Sequence, residues 1–132
     1  LAGKILCTLD CFPKEKINNV QYAISVCSFH KNIRPETHEA MILQDADLLE
    51  ATGSIAIMRT FSSAGQYGTP FYSEIDTFCE TREPSQTYAI DFFYKRLLVV
   101  ASRMNTKKWK ELAQERTRIL TDFLLSLKDE LS

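Results

Sequence analysis

Apolar residues recur at spacings of three and four along nearly the whole chain and nowhere alternate, a pattern that restricts the fold to packed helices. The clearest run lies late in the sequence. Ala89, Phe93, Leu97, Val100 and Met104 share one helical stripe, and Ile90, Tyr94, Leu98 and Ala101 share a second beside it. Two adjoining apolar stripes leave little polar surface, so a helix from Ser85 to about Met104 should be the most buried element. Asn105 or Thr106 is placed to cap a last helix reaching about Leu131. Its inward face would hold Trp109, Leu112, Ala113, Leu120, Phe123, Leu124 and Leu127, with Arg116 in the middle of that face. A guanidinium on an apolar stripe needs an acid to pair with, and Asp45 is the candidate.

The first half follows the same rule. Leu1 to Leu9 reads as a helix tail. Pro13 suits the first turn of a second helix over 13–28, whose apolar stripe is Ile17, Val20, Ala23, Ile24 and Cys27. A polar connection, His30 to Arg34, follows, and His30 and His38 are expected to face solvent. Pro35, with Glu36 and Glu39 at the positive end of a helix dipole, opens a third helix that runs to Ala51. Gly53 closes it in the left-handed conformation. Ile42, Ala46 and Leu49 would form its apolar face. Asp47 lies at the edge of that face, beside Leu43 and Glu50. A carboxylate there is either a half-solvated surface acid or a group that must be paired or bound to a cation.

Ser54 is a plausible cap for a fourth helix holding Ile55, Ile57, Met58 and Phe61. From Ser62 to Glu83 the chain turns glycine- and proline-rich, with Gly65, Gly68, Pro70 and Pro84, and reads as a long loop of the lid or Ω type. The whole is read as one all-α domain over 1–132.

Composition narrows the function classes. With 132 residues and 45% hydrophobic content, the chain can bury a core. Sixteen basic against 17 acidic side chains leave no electrostatic footprint for a nucleic-acid polymer or an anionic membrane. No apolar run approaches the roughly 18 residues that would span a bilayer. Leu1 to Leu6 is too short for a secretory leader. The absence of an initiating Met marks the chain as a fragment or processed product. Cys7, Cys11, Cys27 and Cys79 lack metal-site spacing and read as free thiols in a reducing cytoplasm. No Gly-x-Ser-x-Gly elbow or Walker-type Gly-Lys-Ser/Thr ending occurs, so covalent catalysis and P-loop chemistry are set aside.

Gln44-Asp45-Ala46-Asp47-Leu48-Leu49-Glu50-Ala51, then Gly53, Ile55, Ile57 and Arg59-Thr60-Phe61, resembles the later half of a single-domain HD-superfamily phosphohydrolase. The family form is Asp-Ala-Asp-Arg-Leu-Asp followed by Gly-Ala-Ile-Gly-Ile-Ala-Arg-Thr-Phe. The resemblance runs from Phe12-Pro13 to about Phe123. It implies an HD-like helical bundle without its N-terminal helices, and it makes Asp47 the counterpart of the family's last metal ligand. The family's divalent ion (Mn, Mg, Ni or Fe) is held by a His and a His-Asp pair as well. No His-Asp dipeptide occurs in this sequence, so no metal is expected in this chain alone.

Other matched positions depart from the family pattern. Cys27 replaces a His before Ser28-Phe29, Leu48 an Arg, and Phe92 a His before Phe93-Tyr94. The resemblance further suggests a substrate surface built from Asp45, Arg59, Gly65, Gly68, Tyr72 and Arg116, with Gly65 to Tyr72 lining a nucleotide pocket. Arg59 would hold a phosphate bidentately or, equally, pair with Asp45 or Glu50. No catalytic residue is assigned. Two functions follow: the C-terminal part of a metal-dependent phosphohydrolase acting on a nucleotide or small phosphate ester, catalytically incompetent alone; or a non-enzymatic helical module that forms a homodimer.

Overall fold

The computed structural model describes residues 1–28 and 31–132; Phe29 and His30, the expected start of the polar connection, lie outside the described residues. The described residues are all-helical, with six α-helices: α1 (Ala2–Thr8), α2 (Ile17–Cys27), α3 (His38–Leu49), α4 (Gly53–Tyr67), α5 (Ala89–Lys95) and α6 (Lys107–Glu130). No described helix is long and apolar enough to cross a membrane. The chain divides into two compact units, Leu1–Leu48 and Leu49–Ser132.

In the first unit, α1 packs on α2 where Gly3 meets the end of the Gln21 side chain, which would have to shift to admit a Cβ. A Cβ on Gly3 would lie 2.2 Å from the Gln21 amide nitrogen. The Lys14 ammonium donates to the carbonyls of Cys7 (2.8 Å) and Leu9 (2.9 Å), closing the negative end of α1. Pro13 precedes a short 310 turn, Lys14–Lys16, that leads into α2. The unit's buried apolar residues include Ile17, Ala23, Val26, Ala40 and Leu48, and Tyr22 packs against the cluster of Ala23, Val26 and Ala40. Buried Gln44 joins α3 to the preceding chain by donating to the carbonyls of Val26 (3.0 Å) and Ile33 (3.1 Å).

Two expectations for α3 need correction. It begins at His38 rather than Pro35, because the Thr37 hydroxyl accepts the Ala40 N–H (3.3 Å) and caps the helix there; Pro35 is buried in the extended chain before it. Its buried face is Ala40, Gln44, Asp45 and Leu48, not Ile42, Ala46 and Leu49. Ile42 and Leu43 are exposed. The inward stripe is thus rotated, and it carries two polar side chains that an apolar count passes over.

In the second unit, the turn between α3 and α4 is set by two residues. Thr52 folds its N–H (3.2 Å) and its hydroxyl (2.6 Å) onto the Leu49 carbonyl, and Gly53 takes φ +65° as expected. Thr52, not Ser54, is the residue before the first turn of α4. That helix continues to Tyr67, so the expected loop starts six residues late. Gly65 lies inside the helix, and Gly68 ends it in the left-handed conformation, with the Thr69 N–H reaching back to the Ala64 carbonyl (2.8 Å).

The single helix expected over 85–104 is also two elements. It starts at Ala89, breaks at Arg96 (φ −133°, ψ −57°) and resumes as a 310 helix, Leu97–Arg103. The expected stripe survives the break. Ala89, Phe93, Leu97, Val100 and Met104 are all buried, since three-residue and 3.6-residue turns both return residues 97 and 100 to one side. Ala56, Ile90, Phe93, Leu97, Leu120 and Leu124 form the core. Phe61, Phe71, Phe93 and Phe123 interlock beside it, with ring centroids 5.3 to 6.0 Å apart.

Candidate functional site

The residues of the expected site fall in both units. On α3, Asp45 is completely buried, whereas Asp47, two residues on, is exposed. Helical geometry separates them by about 200°, so one carboxylate points into the unit when the other points out. Cys27, which stands where the family pattern has a His, is close enough to Asp47 to feel its charge. Burial first, and that charge second, push its thiol pKa up, and its sulfur contacts the Leu43 carbonyl (3.9 Å). A protonated thiol is a poor metal ligand and a poor nucleophile.

Arg59 stands on the open face of α4 and forms an ion pair with Glu50, both side chains being exposed. Of the two expectations for Arg59, the ion pair with Glu50 is the arrangement present. Around it, Met58, Ser62, Ser63 and Gln66 line a shallow groove of about 390 Å³. Gly65 has open space where a Cβ would sit, and Gly68 caps the helix, so neither forms a phosphate loop. Tyr72 is half-buried and packed against the core. Arg116, on α6, lays its aliphatic stem along Gly53, where an added Cβ would lie 3.4 Å from Arg116 Cβ.

The structure shows a polar centre that sequence reasoning missed. Asp91, one turn into α5, is fully buried and accepts hydrogen bonds at both oxygens. Arg82 reaches it with two nitrogens (2.6 and 2.7 Å), Ser85 with its N–H and hydroxyl (2.7 Å each), and Cys79 with its thiol (3.4 Å). The guanidinium, then the Ser85 donors, hold the carboxyl well below the usual range against the opposing effect of burial. Burial and the neighbouring carboxylate push Cys79 up to about 11. The available signal was an acid on the most apolar stretch of the chain, where a charge must have a partner.

Among the described residues, no group of three or more His, Cys, Asp or Glu side chains is placed to hold a metal ion. Asp47 alone, exposed and with a protonated thiol for a neighbour, does not make a site for a transition-metal ion, which needs about three protein ligands. The described residues supply no activated nucleophile.

This order of helices is an HD-like helical fold, and the comparisons with known proteins bear on it directly. No family model matches the chain. An uncharacterized Bacillus subtilis protein, YpgQ, is 30% identical over 122 residues, which cover 89% of this chain and 54% of that protein. The crystal structure of YpgQ in complex with ADP superposes with a TM-score of 0.75 at 25% identity, covering 98% of this chain and 61% of that one. A Bacillus thuringiensis protein described as an HD-superfamily hydrolase superposes with a TM-score of 0.71 at 27% identity, covering 94% of this chain and 56% of that one. The chain thus spans little more than half the length of these relatives and shares their fold across that span.

Proposed function

We propose that this chain is the later part of an HD-superfamily phosphohydrolase that acts on a nucleotide or a small phosphate ester, and that it cannot perform the reaction alone. The observation carrying this reading is the exposed Asp47 on α3, at the position matching the family's last metal ligand, in a chain whose fold is that of a named HD-superfamily hydrolase. In the full family site a divalent ion would polarise a phosphoryl oxygen and activate water. The residues here contribute binding and shape only. Arg59 could release Glu50 and take a phosphate in the groove beside it; guanidinium geometry matches two phosphate oxygens, and an exposed ion pair costs little to exchange. The ADP bound to YpgQ supports a nucleotide ligand. The free thiols fit a reducing cytoplasm.

Titration of Mn²⁺ into the chain by calorimetry tests the reading. No binding at micromolar concentration is expected. Micromolar binding that Asp47→Ala abolishes would show a complete site in these 132 residues and overturn the incompetence of the chain.

A second reading, the homodimeric helical module, is favoured by one observation. Ile24, Ile42 and Leu43 of the first unit are apolar side chains exposed at 50%, 38% and 38%, which a second copy would take out of water.

A further inference from the structure

Residues 73–85 of the second unit contain no α-helix, yet many of their polar groups are bonded within the segment. The Asp76 carboxylate accepts from the N–H groups of Glu80 (2.9 Å), Thr81 (2.9 Å) and Arg82 (3.1 Å), and from the Thr81 hydroxyl (3.0 Å). The Thr77 hydroxyl donates to the Ser73 carbonyl (2.7 Å), and an Arg82 nitrogen donates to the Asp76 carbonyl (3.0 Å). These bonds make the segment a small body of its own, which would keep its shape if it moved. Its apex, Ile75, is 98% exposed.

The attachments of this body to the rest of the unit include a buried polar cluster, an exposed ion pair and the Arg82 guanidinium 5.2 Å from the centre of the Tyr88 ring, and Ser73 within the body is itself buried. Arg82, Ser85 and Cys79 all converge on Asp91 of α5. The other tether is exposed: Lys128 of α6 pairs with Glu80 and lies 5.7 Å from the centre of the Phe78 ring. At the entry side, Ala89 and Ile90 donate their N–H groups to the Pro70 and Phe71 carbonyls (3.0 and 2.9 Å), which ties residues 70 and 71 to the start of α5 but not the body beyond them. Magnitudes favour the buried attachment as the one that matters. An exposed ion pair contributes little, whereas removing one member of a buried pair leaves a charge without compensation.

We propose that residues 73–85 are a latched strap, released as one body from α5 when the Asp91–Arg82 pair is broken, while the aromatic core behind stays folded. The inference is independent of the phosphohydrolase reading. A strap with its own internal bonds and a buried ionic latch is a unit that opens locally, below the free energy of global unfolding.

Cys79 and Cys27 supply the test. Both thiols are half-buried, one in the strap and one in the first unit. Labelling by a maleimide at fixed pH, followed by mass spectrometry of the full chain, reads the opening of each region. In Asp91→Asn and in Arg82→Gln, Cys79 should label about 10- to 100-fold faster, the range expected for losing a charge-assisted pair of hydrogen bonds. Cys27 should keep its wild-type rate, and Glu80→Gln should change Cys79 less than about threefold. Arg82→Gln is the deciding variant. It removes a cation that favours the thiolate, so faster labelling there reports exposure and not acidity. Acceleration in Asp91→Asn alone, or in neither variant, overturns the proposal. So does equal acceleration of Cys27, which would mean that the chain unfolds as a whole.

Discussion

Asp47 and Asp91 are the same chemical group in opposite circumstances. Asp47 is exposed and could serve a ligand, whereas every oxygen lone-pair direction of Asp91 is taken up by Arg82, Ser85 and Cys79. A carboxylate held that tightly is structural, since protonation or substrate binding would have to displace charge-assisted bonds. Residue-level burial also sorts the cysteines. Cys7 and Cys11 are exposed, while burial is the leading cause of the raised pKa of Cys27 and Cys79. Brief treatment of the native chain with iodoacetamide at pH 8 is therefore expected to alkylate Cys7 and Cys11 first. Peptide mapping checks this, and early modification of Cys27 would contradict the placement of its thiol. Of these residues, Asp47 was legible through its resemblance to a motif. Asp91 was not, because its partners lie six to twelve residues away in a segment without periodicity.

At the scale of elements, glycines differ by place: Gly53 opens α4, Gly65 lies within it and Gly68 ends it. Gly53 combines φ +65° with the Arg116 stem at van der Waals distance, so alanine there would carry backbone strain and crowd that side chain. Gly65, only twelve residues along, sits inside α4 with open space around it. Opposite effects are expected: Gly53→Ala should cost about 1–2 kcal/mol, and Gly65→Ala should stabilise by about 0.4–1 kcal/mol. Thermal melts followed by circular dichroism, with Tm falling in the first variant and rising in the second, check both. A rise for Gly53→Ala would mean that the turn between α3 and α4 is not the one described. The helices themselves were readable because their apolar residues repeat every three or four positions. Their ends were less so, since α4 continues through Gly65 on the strength of its packing, and α5 breaks at Arg96 with the same residues still buried.

At the scale of the molecule, the two units have unlike interiors. The first buries Ile17, Ala23, Val26, Ala40 and Leu48 and leaves Ile24, Ile42 and Leu43 exposed. The second interlocks four phenylalanines, of which Phe93 is also one of its six clustered core residues. The homodimer reading rests on the exposed apolar side chains of the first unit. Light scattering at high micromolar concentration is expected to give a mass near 30 kDa, twice the 15.1 kDa of one chain. A mass of one chain throughout would remove the homodimer reading and leave the phosphohydrolase reading as it stands.

What the amino-acid order determined alone was local: helical periodicity, the glycine at the α3–α4 turn, the cap before α6, and the Asp-Ala-Asp segment by which the fold was recognised. These are properties of neighbours three or four residues apart, where backbone geometry and burial act in concert. Only the tertiary structure decided which face of α3 is inward, because Gln44 and Asp45 are buried against partners that an apolar count does not register. It alone also gathered Arg82, Ser85 and Cys79 around Asp91. The energy of such a cluster comes from charges brought together by folding, and no spacing along the chain encodes it.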